Sequence, residues 1–325
     1  MRHIFARNVS EALYLGVQAL DMEGVRVETR NGPALEFPTP VCTTYTHSRE
    51  RVLFYPERDA NPFFHLFESL WMLAGRNDVS WISSFNRNLD AYSDDGKSFH
   101  GAYGYRWKFW FGFNQLEVVI SRLINYENDR RAVLSMWDAR SDLMKRNSGK
   151  DYPCNTQIFF SVRNDLLDMT VVNRSNDMIW GAYGANAVHM SILQEYVAAR
   201  LEIGVGTYYQ FSNNLHAYLD TFETVKNIKA DYDPYLLVGE AQTNYTPSPL
   251  VDEPILFDLE LLSWFEEEEK DYANSFLSET ATPMLRAWKA WKNKNLEEAC
   301  SIAKETIVDL AWKKACVEWL NRRKG

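Results

Sequence analysis

The sequence predicts an α/β fold in which a mixed, twisted β-sheet is flanked by helices and followed by a helical C-terminal extension. Two observations carry this prediction. Strand-like runs rich in β-branched and aromatic residues recur between residues 25 and 45 and at 132–138, 155–163, 166–173 and 206–212. Between them lie segments with apolar residues at helical spacing, at 8–22, 63–75, 114–125 and 187–201. Beyond residue 250 the strand signals stop and Leu-rich and Trp-rich helical runs take over. The expected division is therefore a body over 1–250 and an extension over 251–325 packed on it.

A chain of 325 residues, 46% hydrophobic and 14% aromatic, can bury a substantial core. No window approaches the roughly 18 apolar residues of a spanning helix, and the first residues lack a long apolar run, so a cytoplasmic protein without a membrane partner is expected. A formal net charge of −9 argues against a general nucleic-acid surface, which would need clustered Lys and Arg. A small anionic ligand in a local basic pocket stays open. Cys42, Cys154, Cys300 and Cys316 are widely scattered without paired spacing, which predicts free thiols and no structural metal.

Taken in order, residues 8–22 form an amphipathic helix with Asn8 or Ser10 available as its cap. Two strand-like runs, 25–33 and 34–45, follow about an Asn31-Gly32 turn. Arg30 sits at that turn, as a solvated charge or as a binding group carried on a loop. Residues 63–75 read as a buried helix closed by Gly75, and Glu68 is its anomaly. A carboxylate in so apolar a helix is either paired with an arginine or a candidate general acid or base. The cluster Gly101-Ala102-Tyr103-Gly104-Tyr105 either packs a turn or forms a wall for a planar ring. After the helix at 114–125, Arg130 and Arg131 enter the strand at 132–138, where paired arginines suit a phosphate or are simply solvated. Residues 139–150 are polar and predict a mobile loop.

The stretch at 151–177 is where chemistry concentrates. Pro153-Cys154 precedes two strand-like runs and is followed by Arg174-Ser175-Asn176-Asp177. Cys154 is a candidate nucleophile with an anion site within reach; the alternative is a small buried hydrophobe. Arg174 would favour the thiolate, the form that attacks carbon. Asn186 lies near the start of the next helix, as a cap or as an amide facing a ligand's hydrogen-bonding edge. His216 and Tyr218, after the strand at 206–212, share one side of an extended chain.

Arg30, Glu68, Trp71, Gly101-Ala-Tyr103-Gly, Arg130-Arg131, Trp137, Pro153-Cys154, Arg174-Ser175-x-Asp177, Gly181, Asn186 and His216-Ala-Tyr218 together resemble the thymidylate synthase superfamily, in order, across roughly residues 25–220. The resemblance implies a thymidylate synthase-like fold and an enzyme acting on a pyrimidine nucleoside monophosphate with 5,10-methylenetetrahydrofolate as co-substrate. It assigns Cys154 as the nucleophile that adds to C6. Glu68 and Tyr103 would organise water and proton transfers, and Asp177, with Trp71 and Leu89, would serve the folate. Arg174 and Ser175 would bind the 5′-phosphate, Arg30 would close over it, and Arg130 and Arg131 would reach it from the second subunit of a homodimer. His216 and Tyr218 would hold the sugar, and Asn186 the base.

Departures from the synthase pattern point to a hydroxymethylase. Leu89 and Tyr92 stand where synthases resembling this chain carry tryptophans, and a smaller side chain at 89 would admit water in place of hydride transfer. Asn155 follows the nucleophile where synthases have His, and the segment from Gly181 to Asn186 is one residue longer. Both changes are expected at the pyrimidine O4 edge. Together with Arg174-Ser175-Asn176-Asp177, which resembles phage deoxycytidylate hydroxymethylases, they favour dCMP as substrate. Methylation of dUMP or dCMP, a CMP hydroxymethylase and a non-catalytic nucleotide-binding relative are the alternatives. The extension, with its acidic patch at 266–269 and basic end at 322–324, is expected to be a helical cap or dimer element.

Overall fold

The computed structural model describes residues 1–144, 149–229, 235, 245–267 and 270–324. Its strands are β1 (Arg2–Ala6), β2 (Val25–Thr29), β3 (Gly32–Glu36), β4 (Val41–Tyr45), β5 (Val133–Ser135), β6 (Asn155–Arg163), β7 (Leu166–Asn173), β8 (Asn176–Asp177), β9 (Gly204–Ser212) and β10 (Leu215–Tyr218). Six of them form a mixed sheet in the order β1-β4-β9-β7-β6-β5. The other four form a second sheet, β2-β3-β10-β8, which the sequence pattern did not separate from the first.

The sheets part at three places. The predicted strand run at 34–45 is broken between β3 and β4, where Pro38 and Pro40 supply no N–H to a ladder. β7 passes into β8 through Arg174-Ser175, and β9 into β10 through Asn213-Asn214. Arg174, Ser175 and Asn214 all face the cleft that opens there. The strand expected at 132–138 is only three residues long, β5, at the sheet edge.

Helices cover the sheets much as the apolar spacing requires. Val9–Glu23 is capped by Asn8, whose side chain accepts from Glu11 N. Pro62–Leu73 starts with proline at its first turn and Asn61 accepting from Phe64 N, and Gly75 closes it at φ +76°. Asn114 caps Gln115–Asn125. Residues 139–143 are a short helix, not the predicted loop, because Asp142 is buried against Arg106: two bonds of 2.8 and 2.9 Å join them. The rest of that predicted loop, 145–148, lies outside the described residues.

Beyond residue 250 the described elements are helical: Pro254–Trp264, Thr282–Lys292, Leu296–Thr306 and Leu310–Asn321, with a wide turn at Leu277–Ala281. They share one core with the sheets. Phe63 lies 5.4 Å from the Trp288 ring and 5.5 Å from Trp319, and Phe67 lies 5.7 Å from Trp264. The helix bearing Glu68 is thus held between Asn186–Arg200 and the C-terminal helices. Arg322 and Arg323 do more than complement a dipole, since both bond Asp59. Part of the acidic patch, 268–269, lies outside the described residues.

Candidate active site

A cleft of about 1170 Å³ opens where the two sheets separate. Cys154 stands on it, one residue before β6. The cysteine's backbone is held by its neighbours: Arg174 N donates to Cys154 O at 2.9 Å, and Arg174 Nε donates to Pro153 O at 3.0 Å. Burial raises the Cys154 thiol above its ordinary value; Arg174 and Arg30 oppose this, while Asp151 and Asp177 add to it. Arg174 does favour the thiolate, as expected, but desolvation outweighs its attraction.

The expectation for Asn155 is corrected. Side chains alternate along a strand, so with Cys154 on the cleft its neighbour turns into the sheet. Asn155 is fully buried, donates to Val172 O at 3.1 Å and is not among the residues that line the cleft. Its backbone N–H reaches the Tyr103 hydroxyl at 3.4 Å. Tyr103 is brought beside Cys154 by a close helix contact. A Cβ on Gly104 would stand 1.8 Å from Met72 O, so only glycine lets the two backbones approach. Burial, then the nearby Cys154, pushes the Tyr103 hydroxyl far above its usual range.

Among the described residues Glu68 finds a histidine and no arginine. His189 Nε2 lies 3.1 Å from its carboxylate, buried and off the angle of a hydrogen bond. Asp177 is fixed through one oxygen, Oδ1, which accepts from Ile179 N at 2.8 Å and Trp180 N at 2.7 Å. Its Oδ2 is buried with no hydrogen-bond partner among the described residues, and burial raises the carboxyl above its ordinary value. His216 Nδ1 lies 2.8 Å from Asn214 Oδ1, and burial lowers the imidazole against the pull of Asp177. The rings of His216 and Tyr218 are 5.3 Å apart, on the shared side that strand alternation predicts.

Arg30, Trp71, Leu89, Ser175 and Asn186 also line the cleft. Trp71 is 3% exposed and donates to Asp78 at 3.2 Å, so it is wall and core together. Asn186 does not cap its helix: it is the first helical residue, and its Nδ2 donates to Asn176 Oδ1 at 3.0 Å. Arg130 and Arg131 do not line this chain's cleft; both are exposed, and Arg131 is bonded to Asp129 at 2.9 Å.

Sequence reasoning missed His189, Asn176 and Asn214 as cleft residues. His189 was legible, because three residues after Asn186 puts it on the same helix face. Asn176 and Asn214 were not, since only the pairing of β8 with β10 brings them to the opening.

A sequence model of the thymidylate synthase family matches residues 23–236. The chain is 46% identical to the deoxyuridylate hydroxymethyltransferase of Pseudomonas phage M6, over 100% of this chain and 95% of that protein. It is 34% identical to the deoxyuridylate hydroxymethyltransferase of Bacillus phage SP01, over 74% of this chain and 65% of that one. A third such protein, from Delftia phage PhiW-14, is 32% identical over 65% of this chain and 60% of its own length. The chain belongs to the thymidylate synthase family and is a one-carbon-transferring enzyme. Among the described residues no helix is long and apolar enough to cross a membrane.

Proposed function

We propose that this enzyme hydroxymethylates C5 of 2′-deoxyuridine 5′-monophosphate, with 5,10-methylenetetrahydrofolate as co-substrate. The observation that carries the reading is that Cys154, Glu68 and Asn186 open on one cleft, in a chain similar along its whole length to a protein named for deoxyuridylate hydroxymethylation. The cytosine preference expected from the sequence is not retained. Asn155, one of its supports, is buried and does not line the cleft, and Asn186 keeps an amide that suits uracil.

The residues fit a folate. Asp177 Oδ2 is a buried polar atom in want of a partner, and the cleft volume exceeds what one small ligand needs. When bound, the folate supplies a one-carbon unit at the oxidation level of formaldehyde. Cys154 Sγ bonds to C6, and the electron pair released reaches C5 and O4, where Asn186 faces it. C5 would take the one-carbon unit, and loss of the C5 proton would break that carbon's bond to the folate nitrogen, releasing tetrahydrofolate at its original oxidation level; water would then add to the methylene carbon so formed, passing a proton toward Glu68. Cleavage of the C6–Sγ bond would return the thiolate. Leu89 on the cleft wall leaves water a way in. Arg174, Ser175 and Arg30 take the phosphate, with Arg130 and Arg131 of a second copy completing the site in a homodimer. His216 and Tyr218 take the sugar.

Mass spectrometry of products from dUMP, dCMP and CMP, each with methylenetetrahydrofolate, tests the proposal. A product heavier by the elements of formaldehyde from dUMP, with no dihydrofolate absorbance, is expected. A methyl product with matching dihydrofolate would overturn it.

A further inference from the structure

Gln210 on β9, Asn176 on β8 and Asn186 form a chain of side-chain amides that crosses from one sheet to the other. Its inner end is anchored on an atom with a single role. The Ala182 carbonyl accepts from Gln210 Nε2 at 3.0 Å, and a carbonyl oxygen cannot donate. Gln210 Oε1 must then face the other way, where it accepts from Asn176 Nδ2 at 3.0 Å. Asn176 Oδ1 is left as an acceptor, and it takes the N–H of Asn186 at 3.0 Å. Tyr45 braces the anchor: its hydroxyl donates to Ala182 O at 3.0 Å and accepts a second N–H from Gln210 at 3.2 Å. Asn176 and Gln210 are each 1% exposed, so bulk water cannot substitute for a lost partner. Gly181 leaves the room this requires, because a Cβ there would stand 2.6 Å from Asn176 Oδ1 and 3.0 Å from Asn186 Nδ2.

We infer that this relay sets the base specificity by fixing which way the Asn186 amide faces. The inference rests on the proposed reading that Asn186 meets the base. With one N–H committed to Asn176, Asn186 offers the cleft its carbonyl oxygen and its other N–H. Uracil matches, with a donor at N3 and an acceptor at O4. Cytosine reverses both, with an acceptor at N3 and a donor at its 4-amino group. To serve cytosine, Asn186 would turn its oxygen against Asn176 Oδ1. Turning Asn176 as well sets it against Gln210, and turning all three sets Gln210 Oε1 against the Ala182 carbonyl. Every arrangement but the observed one leaves two acceptors facing each other, at least one of them buried. Asn176 and Gln210 are positioning residues that discriminate bases they do not touch.

The test is the ratio of kcat/KM for dUMP to that for dCMP, since damage to packing lowers both alike. Asn176→Ser installs a hydroxyl that donates or accepts equally, and should lower the ratio about tenfold or more. Asn176→Asp loses the donor to Gln210, so both kcat/KM values should fall, but a carboxylate can only accept from Asn186 and should keep the ratio near that of the parent. Gln210→Met removes the anchor and should also lower it, which serves if the serine variant folds poorly. An unchanged ratio in Asn176→Ser and Gln210→Met overturns the relay while leaving the parent's preference for dUMP intact. An equal fall in the ratio in Asn176→Ser and Asn176→Asp overturns the argument from polarity. A parent enzyme that prefers dCMP overturns the base assignment beneath it.

Discussion

Glu68 and His189 face each other across two helices, carboxylate to imidazole at 3.1 Å, and both open on the cleft that holds Cys154. Glu68 belongs to Pro62–Leu73 and His189 to Asn186–Arg200, so the pairing exists only because those helices pack. A carboxylate beside a histidine can pass a proton on after taking one from water. Glu68→Gln should lower kcat by about a hundredfold or more, with little change in KM for the nucleotide. His189→Leu should lower kcat less and change the shape of the kcat–pH profile. Steady-state kinetics between pH 6 and 9 reads both. An unaltered profile in His189→Leu would mean that the imidazole only packs.

The thiol of Cys154 is held up by burial more than Arg174 and Arg30 bring it down. At any given pH its ionised fraction should lie below that of an ordinary thiol. Arg174→Gln removes a positive charge and so raises the thiol further, which slows alkylation at any given pH. Iodoacetamide labelling, with the Cys154 peptide followed by mass spectrometry, measures this apart from Cys42, Cys300 and Cys316. Faster labelling in Arg174→Gln would contradict the electrostatic ordering.

The helices at 9–23, 62–73 and 115–125 were legible because asparagine caps and apolar spacing are local signals. So were β6 and β7, and the shared side of His216 and Tyr218. The split into two sheets was not, since Pro38 and Pro40 announce an interruption without saying which strands pair next. Asn155 was misassigned because adjacency to Cys154 in sequence became opposition across a strand. The partner of Glu68 was hidden for a related reason: a helix-to-helix contact over 121 residues leaves no periodic trace.

Leu89 lies on the cleft wall in a short turn of helix, Arg87–Tyr92. If its size admits water to the methylene carbon, a larger ring there should exclude water. Leu89→Trp is expected to cut the hydroxymethyl product by about tenfold and to yield some methylated nucleotide with matching dihydrofolate. Product masses and absorbance, followed together, decide it. An unchanged product with undiminished yield would mean that water enters by another side.

Trp319 bears on the active site from the far end of the chain. Its ring lies 5.5 Å from Phe63 and 5.9 Å from Trp288, and only 3% of the residue is exposed. Removing a buried tryptophan costs about 3–5 kcal/mol, through lost burial and the cavity left behind. Phe63 is the second residue of the helix that carries Glu68, five residues on, so loss of this packing should loosen the carboxylate's position as well as the fold. Trp319→Ala should lower the urea midpoint by an amount matching that cost, and lower kcat more than it raises KM for the nucleotide. Trp319→Phe, which refills most of the space, should recover most of both. Lost stability with full kcat in Trp319→Ala would mean that the C-terminal helices support the fold without positioning Glu68.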